Sequence, residues 1–270
     1  MEFVAEIGGN HNGDLEIAKQ LIDVAFDAGC QFVKFQKRTL DKVYTQEELN
    51  KPKESPWGKT YGEYREHLEF GYHEFFEIDE YCKGRLRWFA TPFDIESLHF
   101  LMQFDMRYIK VSSFHVGNTE LLHAIRAYDV PVVMSVGMSD MPVIQKAVNV
   151  LGEQLVYILQ CNSCYPSKSC ELNLRVITTL KKLYPSKRIG FSNHFPGLTG
   201  MIGAAALGAE MVEFHATMDR SMYGTDHAAS IEPQGVRTLI KHCKTMELAL
   251  GNGEKFIYKS EEPLVKKYRG

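Results

Sequence analysis

Short runs of branched and aromatic residues alternate along this chain with longer stretches whose apolar residues recur at three- and four-residue spacing. The first pattern predicts buried strands and the second amphipathic helices. "EFVAEIG" leads to "LEIAKQLIDVAFDAG", and "CQFVKFQ" precedes a polar excursion that resumes as helix near "HEFFEIDEYCKG". "LRWFATPFD" precedes "IESLHFLMQF", "MRYIKVSS" precedes "TELLHAIRAY", and "PVVMSVG" precedes "MPVIQKAVNVLG". "LVYILQC" precedes "ELNLRVITTLKKLYP", "KRIGFSNH" precedes "MIGAAALGA", and "EMVEFHA" precedes "VRTLIKHCKTMELALG", which makes eight strand-helix units.

Strands that alternate with helices pair in parallel through right-handed crossovers, and eight units in 270 residues fit a closed (β/α)8 barrel better than an open sheet. The barrel is expected over residues 1–250, with 251–270 as an extended polar tail or linker. Residues Leu40 to Tyr72 break the repeat and are rich in Lys, Glu, Pro, Tyr and Gly. A segment of that length predicts a lid or wall over the barrel mouth.

In such a barrel the chemistry gathers at the carboxyl ends of the strands. The unusual polar residues fall there: Glu6, Asn10 and His11 after the first strand, Lys34 and Gln36 on the second, Asp94 after the third, and Lys110, Ser112 and Ser113 on the fourth. Ser135 on the fifth, Ser163 after the sixth, Ser192 and His194 on the seventh, and Glu213 and His215 on the eighth complete the set. His194 and His215 are one barrel unit apart, so they end neighbouring strands. Neutral imidazoles so placed suit a divalent transition metal, with Glu6 or Asp226 able to join, although a lone histidine of this kind is more often a satisfied polar group.

Lys34 and Lys110 each interrupt an apolar strand. A buried ammonium costs several kcal/mol unless an anion meets it. With Ser113, Ser135 and Ser192 the lysines predict a phosphate or carboxylate cradle; structural ion pairs and a Schiff-base lysine are the alternatives. On the cradle reading, Met at either position is expected to leave the barrel folded or more stable. Thr225 to Ser230, carrying Asp226 and His227, reads either as a self-bonded loop or as a flap over a substrate.

A formal net charge of -3 gives no support to nucleic-acid or anionic-membrane partners. The start lacks a signal-peptide pattern and no stretch approaches the ~20 apolar residues of a membrane span, so a soluble, cytoplasmic protein is expected. Six cysteines are scattered, and Cys161 and Cys164 form a CxxC without a second pair at zinc spacing, which predicts ordinary thiols.

The segments "AEIGGNHNGDLEIAKQLIDVAFDAGCQFVKFQ", "TPFD", "IKVSS", "SVGMSDM", "LQCNSCYPS", "GFSNHFPG" and "EFHATMDRSMYGTDHAASIEP" together resemble the sialic acid synthase family, from Glu6 to about Pro233. The resemblance implies condensation of phosphoenolpyruvate with the open-chain aldehyde of an N-acylhexosamine, N-acetylmannosamine-like and with or without a phosphate, to give a 2-keto-3-deoxy nonulosonic acid and phosphate. It implies a divalent metal, Mn2+ before Mg2+ or Co2+, on His194 and His215. Phosphoenolpyruvate would meet Lys34, Lys110, Ser113, Ser135, Ser163 and Ser192, with Gln36 and Asn10 nearby. Glu6 would hold or deprotonate a water and Asp226 would support the aldehyde end, which makes Glu6, Lys34, Lys110 and Asp226 the implied catalytic set. A homodimer is implied as well.

His115, where the family usually has an acidic residue, Asn193 in place of Asp, Phe214 in place of a basic residue, and Val136 in place of Thr depart from the pattern. They bear on the sugar side, so a related synthase with a different acceptor is the alternative enzyme, and a non-catalytic sugar-binding relative the alternative of another class. The family's small C-terminal antifreeze-like domain has no counterpart before Gly270, so the barrel either works uncovered or belongs to a longer protein.

Overall fold

The computed structural model describes all 270 residues. In chain order the strands are β1 (Glu2–Glu6), β2 (Phe32–Lys37), β3 (Pro52–Ser55), β4 (Gly58–Thr60), β5 (Arg87–Pro92), β6 (Ile109–Val111), β7 (Val132–Ser135), β8 (Leu155–Cys161), β9 (Arg188–Asn193) and β10 (Met211–His215). β3 and β4 form a separate antiparallel hairpin, and the other eight close a parallel barrel. Closure runs through β1, which pairs with β2 on one side and β10 on the other. The expected (β/α)8 architecture is therefore the observed one.

The helices are α1 (Leu15–Ala28), α2 (Leu40–Val43), α3 (Gln46–Leu49), α4 (Tyr61–Leu68), α5 (Tyr72–Cys82), α6 (Ile95–Leu101), α7 (Thr119–Arg126), α8 (Met141–Leu151), α9 (Val176–Leu183), α10 (Thr199–Ala206), α11 (Pro233–Leu250) and α12 (Glu262–Arg269). Capping chemistry sets several boundaries. Asp14 accepts from the amides of Glu16 and Ile17 to start α1, and Gly29 ends it in the left-handed region at φ 90°. Asp94 caps α6 through Ser97 N–H and also accepts from Thr39 N–H, so this strand-end carboxylate is spent on structure.

Two segments differ from the sequence reading. The helix expected from "ELNL" onward begins only at Val176, because Asn173 adopts φ 41° and breaks the run. The final residues are not extended throughout: Glu262 to Arg269 form α12, with Pro263 in the first turn and Lys266, Lys267 and Arg269 near its carboxyl end.

The Leu40–Tyr72 excursion is a folded wall. α2, α3, the hairpin and α4 carry Tyr44, Trp57, Tyr61 and Tyr64, and Tyr64 is only 2% exposed. Trp57 stacks on His67 at 4.6 Å and meets Tyr223 edge-on at 5.6 Å. Tyr223 hydroxyl donates to Glu54 carbonyl at 2.7 Å, and a ring nitrogen of His67 hydrogen-bonds Asn12 carbonyl at 2.9 Å. These contacts fasten the wall to the loops that follow β1 and β10.

Candidate functional site

Side chains two apart on a strand share a face, so each inward-facing strand end supplies one residue deep in the barrel and one nearer its mouth. Lys34 and Gln36, Cys161 and Ser163, Ser192 and His194, and Glu213 and His215 are such pairs. Register levels them between strands: Glu6 lies opposite both Lys34 and His215, and Glu213 opposite Ser192.

The deep layer holds four buried charges. Glu6, Lys34, Lys110 and Glu213 are each at most 4% exposed. Lys34 ammonium is in close ion contact with Glu6 and donates to Thr91 Oγ1 at 3.2 Å. Lys110 donates to Ser135 Oγ at 2.6 Å. Glu213 Oε1 lies 3.7 Å from Lys110 Nζ and 4.0 Å from Lys34 Nζ and accepts from Ser192 Oγ at 3.1 Å. Its other oxygen, Oε2, is buried with no hydrogen-bond partner.

These neighbours tune the two lysines apart. Burial presses on the Lys34 ammonium, but Glu213 and Glu6 outweigh it and hold its pKa above the ordinary lysine value. For Lys110 burial wins over Glu213, and Lys34 adds repulsion, so its pKa falls. Glu213 is buried as well, yet the two ammoniums keep it well below the usual carboxylate range.

Above this layer a cavity of about 50 Å³ is walled by Lys34, Gln36, Lys110, Ser113, Ser135, Ser163, Ser192, His194, Glu213 and His215, together with Thr91, Cys161 and Tyr165. The volume accommodates a few water-sized groups. Ser113 and Ser163 converge on Gly137: Ser113 Oγ accepts from its amide at 3.0 Å, and a Cβ there would collide with both hydroxyls. Ser163 Oγ is buried without a partner.

His194 and His215 face each other with ring centroids 5.4 Å apart. His194 Nδ1 is bonded to Asn162 carbonyl at 2.7 Å, and its Nε2 to Tyr165 hydroxyl at 2.6 Å. His215 Nδ1 is buried without a hydrogen-bond partner, 3.6 Å from Asp226 Oδ2. Burial lowers the His215 pKa against the pull of Asp226. Cys161 Sγ sits 3.6 Å from His194 Nδ1, inside the cavity wall.

Gln36, Phe93, Phe114 and Tyr165 also border a second, wider chamber of about 700 Å³. Asn10, Arg38, Tyr44, Tyr64, Arg65, Glu69, His115 and Asp226 line it. Asn10 amide nitrogen donates to Ala216 carbonyl and Ser230 Oγ, both at 2.8 Å, and so ties the two loops together. His115 Nδ1 is bonded to Ser112 Oγ at 2.9 Å; burial and then Arg38 push its pKa down to about 4, so the ring is neutral. Glu6 touches both chambers indirectly, accepting from Gln36 Nε2 at 2.6 Å while paired with Lys34.

Asn10, Lys34, Gln36, Lys110, Ser112, Ser113, His115, Ser135, Ser163, Ser192, His194, Glu213, His215 and Asp226, all candidates from the sequence, line two joined chambers, whereas Glu6 reaches them only through Lys34 and Gln36 and Asp94 lines neither. Sequence reasoning gave no role to Glu213, although it stood at the end of a strand, and none to Tyr165, Thr91, Arg38 or Arg65. His11, also at a strand end, packs flat on Phe70 at 3.9 Å outside both chambers.

The sequence profile of the NeuB family matches residues 21–255. The human N-acetylneuraminate-9-phosphate synthase is 36% identical over 259 residues, covering 94% of this chain and 72% of that protein. The N,N'-diacetyllegionaminic acid synthase of Campylobacter jejuni is 32% identical over 273 residues, covering 96% of this chain and 80% of that protein. Among solved structures, N-acetylneuraminic acid (sialic acid) synthetase from Leptospira borgpetersenii, in complex with citrate, superposes with TM-score 0.84 at 32% identity, covering 99% of this chain and 91% of that one. No helix of the chain is long and apolar enough to cross a membrane.

Proposed function

Because the chain belongs to the NeuB family, we propose that it condenses phosphoenolpyruvate with an N-acylhexosamine aldehyde to form a nonulosonic acid and phosphate. The observation that carries this reading is the pair of joined chambers: a small one walled by two lysines and five serines, meeting a large one at Gln36, Phe93, Phe114 and Tyr165. The first fits a compact anion and the second an open-chain sugar.

Phosphoenolpyruvate would enter the inner chamber with its carboxylate and phosphate against Lys34, Lys110, Ser113, Ser135, Ser163 and Ser192. Lys34, Lys110, Glu6 and Glu213 sum to zero formal charge, so the cradle is balanced before the anion arrives. Each ammonium must turn part of its attention from a glutamate to the ligand. Glu213 holds the two lysines on either side of one oxygen and is a positioning residue.

The C3 carbon attacks the aldehyde carbon with the enol electron pair, and the aldehyde oxygen takes a proton to become a hydroxyl. Water adds at C2 and gives up a proton; Glu6, with one oxygen held by Gln36 and the other turned to Lys34, would accept it. The tetrahedral phosphate ester then collapses to the ketone, the C–O bond breaks toward phosphate, and the lysines meet its charge in a site shielded from water. Asp226 stands at the aldehyde end, beside His215.

A divalent metal fits the residues present. His215 Nδ1 is a buried ring nitrogen without a partner, and His194 faces it. These two would hold the ion, with water or substrate oxygens completing the shell, since no group of three His, Cys, Asp or Glu side chains converges there. Bound there, it would polarise the aldehyde oxygen. His194 would have to release Tyr165 from Nε2 to ligate through that atom. Manganese as the ion, with Mg2+ or Co2+ as substitutes, and a homodimer rest on the family resemblance, and a cytoplasmic location rests on the sequence pattern alone.

The test is phosphate release from phosphoenolpyruvate across a panel of N-acylhexosamines and their phosphates, with mass analysis of the product, before and after chelation and with Mn2+ restored. Sugar-dependent release that fails on chelation and returns with the ion is expected. Release indifferent to every sugar would refute the function, and full activity in strong chelator would refute the metal.

A further inference from the structure

Gln36, Phe93, Phe114 and Tyr165 border both chambers and form the partition between them. Two of the four are held by neighbouring side chains: Gln36 donates to Glu6 at 2.6 Å and accepts from Arg38, and Phe93 lies under the Arg38 guanidinium at 3.7 Å. Phe114 is 60% exposed and has no polar atom in its side chain. Tyr165, 41% exposed, differs from all three. Its backbone makes no hydrogen bond to the protein, and its hydroxyl makes one, 2.6 Å from His194 Nε2. The ring lies against His194 with centroids 3.9 Å apart and stands edge-on to His215 at 5.5 Å.

The direction of the hydroxyl bond follows from the other ring nitrogen. His194 Nδ1 is 2.7 Å from the Asn162 carbonyl oxygen, which only accepts, so Nδ1 carries the proton. Nε2 is then the bare nitrogen, and the Tyr165 O–H donates to it. A metal ion and a hydroxyl hydrogen need the same lone pair, so Nε2 serves one or the other. The Asn162 bond persists in both cases and orients the imidazole for either partner.

We propose that Tyr165 is a positioning residue whose hydroxyl competes with the divalent ion for His194 Nε2, and whose ring leaves the partition when the ion takes that nitrogen. The inference rests on the metal reading given above. The proposed reaction joins an atom in the inner chamber to an atom in the wide one, so the new bond forms at the partition that Tyr165 helps to build. Yielding Nε2 therefore loads the ion and opens the passage in one movement.

The experiment measures Mn2+ binding without either substrate, by electron paramagnetic resonance of the free ion, in the native, Tyr165→Phe and His194→Ala chains, each checked for folding by circular dichroism. Tyr165→Phe keeps the ring and removes the competitor, so its Mn2+ dissociation constant should fall about 5-fold, the scale of one hydrogen bond. His194→Ala should lose the ion. Saturating Mn2+ should also give the native chain a tyrosine difference absorption spectrum that Tyr165→Phe lacks. Weaker binding in Tyr165→Phe would make the hydroxyl a support of the metal, and an unchanged constant would make it indifferent; either overturns the inference, as does a tyrosine spectrum common to both chains. Affinity retained in His194→Ala places the ion elsewhere and overturns it too. Mn2+ bound by none of the chains sinks the inference and the metal reading together. The expected shifts in a protein without sugar-dependent phosphate release would uphold the role of Tyr165 and refute the synthase reading alone.

Discussion

Replacing Lys110 with Met unbalances the barrel interior at one defined atom. Lys110 Nζ lies 3.7 Å from Glu213 Oε1, and the only other ammonium near that oxygen is Lys34 at 4.0 Å. At an effective dielectric of about 20 the shorter contact corresponds to about 4 kcal/mol of attraction. Removing the lysine returns the cost of burying its ammonium, yet it leaves a buried carboxylate with one longer contact. Breaking a buried pair from one side costs about 3–5 kcal/mol, so we expect Lys110→Met to lower the unfolding free energy by about 3 kcal/mol at neutral pH. This corrects the expectation from sequence that removing either lysine leaves the barrel unharmed, which holds only for an ammonium without a carboxylate partner. Urea unfolding followed by circular dichroism measures the loss. The double variant Lys110→Met/Glu213→Gln should recover most of it, because the amide still accepts from Ser192. Calorimetric titration should show both variants binding phosphoenolpyruvate at least about 30-fold more weakly, since the anion has lost a cation. A Lys110→Met protein as stable as the parent would refute the pairing argument, and undiminished affinity in both variants would refute the anion cradle.

Two further outcomes follow from neighbouring features. Burial, with some repulsion from His67 and His227 outweighing the pull of Asp14, holds the His11 pKa down to about 3, while its Nδ1 accepts from Gly13 N–H at 3.0 Å. Above about pH 6.5 the ring is neutral folded or unfolded; below that only the unfolded chain takes up the proton, so stability falls by about 1.4 kcal/mol per pH unit toward pH 3. His11→Asn should therefore cut the stability lost between pH 7 and pH 5 by about 2 kcal/mol in denaturant titrations, and an unchanged loss would show that His11 is free to protonate in the fold. Gly137→Ala drives a methyl group into Ser113 and Ser163 hydroxyls. Phosphoenolpyruvate affinity should drop about 10-fold in a folded protein, and calorimetry that finds it unaltered would remove these serines from the donor site.

The fold was legible because each strand and helix announces its own period, and Asn173 shows where that fails: a left-handed residue inside an apolar pattern delays a helix without disturbing its spacing. Lys34, Lys110, His194 and His215 were legible because a charged or polar group in an apolar strand needs a reason. Glu213 looked the same in sequence, but its place between two ammoniums depends on how β10, β2 and β6 are set across the barrel. Tyr165 was hidden by its loop, whose path toward His194 no periodicity encodes. Arg38 and Arg65 were hidden for a further reason: they stand just past β2 and in the irregular wall, outside the strand-end rule that found the rest. Asp94 and Asn10 obeyed that rule and yet spend their polar atoms on capping and on joining loops.

The Asn10 clamp has a consequence in time as well as space. It joins residue 10 to residues 216 and 230, and the wall is fastened to the same late loop through Tyr223 and Glu54. Such distant pairings form only after a long loop of chain has been closed. During synthesis the first six strands can therefore emerge and begin to collapse while the wide chamber does not yet exist. Its floor, its wall and its last loop come together in one late event, when β10 arrives to meet β1. A nascent chain halted before that point carries Lys34, Lys110, Ser113, Ser135, Ser163 and Ser192, all of the proposed donor site, but lacks Thr225 and Asp226 of the wide chamber.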